Sequence, residues 1–210
     1  MVCSKVQECI KNFSCFLLSQ ENNQGVKGKR YRVKKNSKAK TEVLNSACND
    51  RNNQDKCIMF FDCRSKANCK EKGKSYTFDQ SACRKKFPII GLHVDGGIVD
   101  DKDCNKCDYA YILLDSIDRG KGRVIFVELK GGNVKHAIQQ LESTISMDIF
   151  SNLSQEYKKI YARIVSSSVP KIRDGAYVEL QKKMKRLGGN LKIKEVDFIE
   201  RYDQLDIIPN

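Results

Sequence analysis

The sequence predicts an α/β fold, with a mixed sheet of about four to five strands flanked by helices and a basic, cysteine-rich N-terminal extension. Three observations carry this. Short β-branched or aromatic runs bounded by turn residues recur after Phe87, amphipathic helical stretches separate the later ones, and the positive charge is confined to the part before it. Of the net charge of +13 over 210 residues, the stretch through Lys86 holds 20 Lys and Arg against 8 Asp and Glu. From Phe87 onward the balance is 19 against 18. A boundary at Phe87-Pro88 follows, giving a basic region over 1–86 and a near-neutral domain over 87–210.

The runs Asp108-Tyr-Ala-Tyr-Ile-Leu-Leu114 and Arg123-Val-Ile-Phe-Val-Glu-Leu-Lys130 flank the polar, Gly-bearing turn Asp115-Ser-Ile-Asp-Arg-Gly-Lys-Gly122 and read as a β-hairpin. Val124 to Val127 is continuously apolar, as in a strand buried on both faces. Gly131-Gly132 ends that strand and Asn133 is placed to cap a helix. Val134, Ala137, Ile138, Leu141, Ile145 and Ile149 recur at helical spacing, predicting an amphipathic crossover. Lys159 to Val165 is the next strand, a helix spans about Asp174 to Leu187, and Leu191 to Ile199 is the last strand.

Chemistry concentrates on the hairpin. Asp108 opens one strand and Glu128 closes its neighbour, so two carboxylates lie side by side. The strand period of two puts Glu128 and Lys130 on one face. Two anionic oxygens hold a hard divalent cation, and an ammonium beside them stabilises developing phosphorane charge. An ordinary lysine titrates near ~10.4, and converting it to a general base at neutral pH costs roughly 4–5 kcal/mol. Lys130 is therefore read as a charged orienter of water and stabiliser of the transition state. Taken alone, an E-x-K triplet is close to noise in a chain this rich in Lys and Glu. Burial is what raises it, because buried charges need partners or a metal.

Together with Val94-Asp95-Gly96, Lys106-Cys107-Asp108-Tyr109, Val127-Glu-Leu-Lys-Gly131 and Ala137-Ile-Gln-Gln-Leu141, this pattern resembles the PD-(D/E)XK nuclease superfamily and its restriction-endonuclease-like core. It is similar to small bacterial and phage-associated members. The likeness spans roughly Ile89 to Ile199, and its specificity lies in the order and spacing of short motifs. It implies Mg²⁺ or Mn²⁺ held by Asp108, Glu128 and the Leu129 carbonyl, with Lys130 as catalytic amine and Gln140 turned back to the site. An upstream acidic ligand is also implied; Asp95, Asp100, Asp101 and Asp103 compete, with Asp95 favoured. Cys107 stands where the motif nominally has proline.

The run Lys27-Gly-Lys-Arg-Tyr-Arg-Val-Lys-Lys-Asn-Ser-Lys-Ala-Lys40 is a solvated loop by composition, but beside a nuclease domain it becomes a nucleic-acid contact. Lys29, Arg30, Tyr31, Arg32, Lys34 and Lys35 are its centre. Neutralising four to six phosphates would give a log–log salt slope of roughly −4 to −5 on duplex DNA. Ten cysteines leave three readings open: buried thiols, a structural Zn²⁺ site using Cys104-Asn-Lys-Cys107 with Cys83 and one of Cys57, Cys63 or Cys69, or disulfides. Phe13 to Leu18 is too short for a secretory signal and no run is long enough to span a membrane, so a cytoplasmic protein is expected. Only two histidines, His93 and His136, are present and neither forms a metalloprotease motif; the Gly-Lys-Gly patterns are not P-loops. The expected activity is metal-dependent hydrolysis of phosphodiesters, of DNA by preference, with a homodimer expected to cut both strands. The alternative is a non-catalytic nucleic-acid- or protein-binding module on the same fold.

Overall fold

The computed structural model describes residues 58–87, 89–99, 102–115, 122–148, 150–151, 159–169 and 175–208. The basic run with Lys29, Arg30, Tyr31, Arg32, Lys34 and Lys35, and the cysteines from Cys3 to Cys57, lie outside these residues. In chain order the strands are β1 (Ile58–Asp62), β2 (Lys66–Glu71), β3 (Lys74–Asp79), β4 (Ile89–His93), β5 (Tyr109–Leu113), β6 (Arg123–Leu129), β7 (Lys159–Ser166), β8 (Leu191–Glu195) and β9 (Asp197–Arg201). Helix α1 (Val134–Ser146) crosses from β6 to β7, and α2 (Gly175–Arg186) from β7 to β8.

The strands form a six-stranded sheet in the order β1-β4-β5-β6-β7-β8 and a three-stranded sheet in the order β2-β3-β9. β1, β4, β5 and β6 are antiparallel neighbours, whereas β6, β7 and β8 run parallel. The strand period of two sorts the core into two layers. Val124 and Phe126 of β6 face Ala137, Ile138, Leu141 and Ile145 of α1, with Leu180 and Met184 of α2 in the same cluster. Ile125, Val127 and Leu129 face the other way, into a cluster with Ala67, Cys69, Tyr76, Phe78 and Phe198 of the small sheet. Burial of each such side chain contributes about 1.5–3 kcal/mol, so β6 is anchored from both sides and its uninterrupted apolar run is explained. None of the described helices is long and apolar enough to cross a membrane.

The mixed α/β architecture matches the expectation, and three details correct it. The main sheet has six strands rather than four or five, and a second sheet covers it. A boundary at residue 86/87 would cut through both sheets, because β1 pairs with β4 and β3 pairs with β9. Residues 58–79 thus belong to the folded unit. On β2 the exposed Lys66, Asn68 and Lys70 alternate with the buried Ala67 and Cys69, so a strand resembles a basic loop by composition. Finally, the expected strand 191–199 is two strands. Val196, at φ 54, turns the chain in the left-handed region, so β8 joins the large sheet and β9 the small one. Both its backbone groups are used: its N–H donates to the Ser166 carbonyl and its carbonyl accepts from Ser75.

A buried ionic cluster joins the layers. The Arg163 guanidinium donates to Glu200 Oε2 at 2.6 Å, Lys192 Nζ meets Glu200 Oε1 at 2.7 Å, and the Tyr76 hydroxyl donates to Glu200 Oε2 at 2.8 Å. Arg163 also donates to the carbonyls of Ala162 and Asn190. Glu200 therefore bridges β9 to β7, β8 and β3. Breaking such a pair leaves an uncompensated buried charge, at a cost of about 3–5 kcal/mol.

Candidate active site

The site lies where β6 leaves the large sheet. Tyr109 pairs with Val127, which sets Asp108 beside Glu128 on adjoining strands. Asp108 shares the parity of Ala110 and Ile112, and Glu128 that of Val124 and Phe126, so both belong to the helix-facing side. Asp108 is fixed by its Oδ2, which accepts the Leu129 N–H at 2.7 Å, and by its carbonyl, which accepts the Val94 N–H. Lys130, on the same face two residues on, places Nζ 3.3 Å from Glu128 Oε1 and donates to Gln140 Oε1 at 2.5 Å. Its backbone N–H is held by the Val165 carbonyl at 2.7 Å.

Gln140 does turn back to the site, and its geometry is fixed on both ends. Its Nε2 donates to the Lys106 carbonyl at 2.8 Å, which aims the amide oxygen at Lys130. One turn on, Thr144 Oγ1 donates to the Gln140 carbonyl and accepts the Cys107 N–H, each at 2.7 Å. The residue preceding Asp108 is thereby tied to α1. The helix begins as expected, with Asn133 Oδ1 accepting the His136 N–H.

The electrostatics are unusual for carboxylates. Glu128 is 1% exposed and its Oε2 is buried with no hydrogen-bond partner. Burial and the adjacent Asp108 charge push its pKa up to about 9, despite the Lys130 ammonium. Burial likewise raises Asp108 to about 6, opposed by the Leu129 N–H. An unpartnered anionic oxygen in the interior costs several kcal/mol unless protonated or neutralised by a cation. A hard divalent cation takes carboxylate oxygens, so the donor chemistry of Asp108 and Glu128 fits Mg²⁺ or Mn²⁺. Among the described residues no three His, Cys, Asp or Glu side chains converge as a metal-holding group; the carboxylates here make a pair.

Asp95 is half-exposed and engaged by the buried Lys106, whose Nζ lies 3.4 Å from Asp95 Oδ1. Asp100 and Asp101 lie outside the described residues, and Asp103 is exposed. The charge that sequence reasoning missed is Glu71, at the end of β2. It raises Asp108 more than Lys130 lowers it, and more than Asp95 raises it. Sequence separation hides it, since β2 reaches the site only through the second sheet. His93 stacks on Tyr109 with centroids 5.3 Å apart, a packing role. Cys107 is fully buried in the helix-side core, with Sγ 3.5 Å from the Tyr109 carbonyl, and packs as a small apolar residue. Cys104 and Cys83 are half-buried thiols.

No family model matches this chain, and neither a curated protein nor a solved structure matches it.

Proposed function

We propose that the chain is a divalent-metal-dependent nuclease that hydrolyses phosphodiester bonds, of DNA by preference. The observation that carries this reading is the buried Glu128 carboxylate, one oxygen unpartnered, set beside Asp108 and bracketed by the Lys130 ammonium. Asp108 and Glu128 would hold Mg²⁺ or Mn²⁺, with the Leu129 carbonyl as a further ligand. Bound there, the cation supplies Lewis acidity and a hydrolytic water of lowered pKa.

The protein's own groups do the rest. The Leu129 N–H keeps Asp108 oriented before anything binds. Gln140, locked by the Lys106 carbonyl, holds the Lys130 ammonium at the pair. From there Lys130 neutralises charge that builds on the phosphoryl oxygens, and removing a preorganised donor of this kind costs about 10²–10³ in rate. Gly131 and Gly132, both exposed and with open space where a side chain would stand, leave room for a backbone to approach.

The test is cleavage of supercoiled plasmid, single-stranded DNA and RNA with Mg²⁺, Mn²⁺ or EDTA, comparing the native chain with Lys130→Ala. Metal-dependent cutting that the variant loses supports the nuclease. Binding without cutting under every metal supports the alternative, a non-catalytic nucleic-acid- or protein-binding module. The same plasmid assay, read with sedimentation velocity, tests the proposed homodimer, since double-strand breaks by a monomer would refute it. A reducing cytoplasm is proposed as the compartment, where the buried Cys69 and Cys107 thiols stay protonated and apolar.

A further inference from the structure

The β2–β3 hairpin ends in a two-residue loop, because Glu71 and Lys74 are Cα partners and only Lys72 and Gly73 lie between them. Both loop residues are left-handed, at φ 46 and 75. Such loops favour Asn or Asp before Gly, since those side chains tolerate this conformation. Lysine at the first position is therefore kept against the local backbone preference. A strained residue beside a candidate site points to a role for its side chain.

The tip lies at the active-site end of the molecule. Tyr76 packs on Tyr111 of β5, ring centroids 5.8 Å apart, and so seats β3 on the large sheet. Ser75, next to the tip, donates its N–H to the Val196 carbonyl, and Val196 donates to the Ser166 carbonyl. Ser166 follows Val165, whose carbonyl holds the Lys130 N–H. The charge of Glu71 reaches Asp108, and those of Asp108 and Asp95 reach Lys72. Lys70 and Lys72 are exposed and Lys74 is half-buried; with Glu71 they give the tip two more positive than negative charges. The Lys72 side chain is 88% exposed even while its Nζ lies 3.1 Å from Glu71.

We propose that this tip is a phosphate-holding arm: Lys70, Lys72 and Lys74 receive the backbone phosphates of a nucleic-acid strand lying across the Asp108–Glu128 end of the sheet. The assignment rests on the nuclease reading and adds to it the surface that positions the substrate. Lys72 sits on the two-residue turn and Lys70 and Lys74 on the hydrogen-bonded strands that flank it, so the paired backbone fixes the register of the bound strand at low entropic cost. They carry no sequence information, because phosphate contacts position rather than specify. Glu71, whose charge reaches Asp108, keeps the phosphates outward.

The test uses the full chain, Lys72→Asn alone, and the triple variant Lys70→Gln, Lys72→Asn, Lys74→Gln. Asn suits the turn, so neither variant should melt below the native chain. Binding of a fluorescein-labelled DNA duplex is followed by anisotropy in EDTA from about 50 to 200 mM NaCl, and cleavage of the same duplex in Mg²⁺. The triple variant should flatten the log–log salt slope by roughly 2–3, and raise KM at least tenfold with kcat within twofold. Native binding and cutting with an unchanged slope and KM in the variant overturns the arm and leaves the nuclease standing. Native binding without cutting, with the slope flattened in the variant, upholds the arm and overturns the nuclease. A native chain that neither binds nor cuts overturns both.

Discussion

At the scale of single residues the decisive object is Glu128, a carboxylate the fold buries without satisfying. Its folded pKa of about 9 lies above its ordinary value of 4.5, and that of Asp108, about 6, lies above 3.8. Between each pair of values the unfolded chain gives up a proton that the folded chain keeps. Stability is thus fully present below about pH 4 and falls as pH rises, through about 6 for Asp108 and about 9 for Glu128. At pH 7 the Glu128 contribution is on the order of 3 kcal/mol. Glu128→Gln should therefore raise the melting temperature of the cation-free protein at pH 7 by several degrees and flatten its decline from pH 5 to 9. Mg²⁺ or Mn²⁺ should stabilise the native chain, increasingly as pH rises because binding displaces protons, and should leave Glu128→Gln unmoved. Differential scanning fluorimetry over that pH range reads both effects; a variant still stabilised by cation would remove Glu128 from the ligand set. Gln140→Ala, which frees Lys130 without removing it, should lower kcat about tenfold in single-turnover cleavage and leave KM unchanged.

Among the elements, the turn at Val196 has a cost that can be measured. A β-branched residue at φ 54 is strained by about 1–2 kcal/mol, and Val196 is 46% exposed. Val196→Gly should be neutral to stabilising in urea denaturation despite the added freedom of the unfolded chain, whereas a loss above about 1 kcal/mol would mean that the Val side chain carries packing. This same residue marks where the sequence misleads. The alternation of Leu191 and Ile193 shifts phase at Lys194-Glu195 to that of Val196 and Phe198, but no Gly, Pro or Asn punctuates the break, and the competition of two sheets for the halves resolves it. The β5–β6 hairpin, α1, β7 and α2 were legible because each combines a clear period with punctuation at its ends. Asp108, Glu128, Lys130 and Gln140 were legible for the same reason, lying on or beside those elements, and the structure brings them together. β1 to β3 were not, since lysines on the exposed face of β2 outweigh its alternation, and Glu71 went unnoticed with them.

For the whole molecule, charge and connectivity are the governing quantities. Deletion of the basic run from Gly25 to Lys40 should lower DNA affinity and flatten the salt slope by several. Anisotropy across a salt series that shows no difference would take this run out of the nucleic-acid surface. Conversely, Arg163→Met strikes the bridge between the layers, leaving Glu200 with only Lys192 and Tyr76, and should lower stability by about 3–5 kcal/mol in equilibrium unfolding. The parallel pairing of β3 with β9 joins residues as far apart as Ser75 and Asp197, 122 positions along the chain. During synthesis the β2–β3 hairpin must wait for all the intervening chain before its partner leaves the ribosome, and long-range pairings of this kind form late. A nascent chain stopped before Asp197 would already carry Asp108, Glu128 and Lys130, yet would lack the strand that docks the hairpin beside them. Emergence of β9 thus acts as a timer on the site.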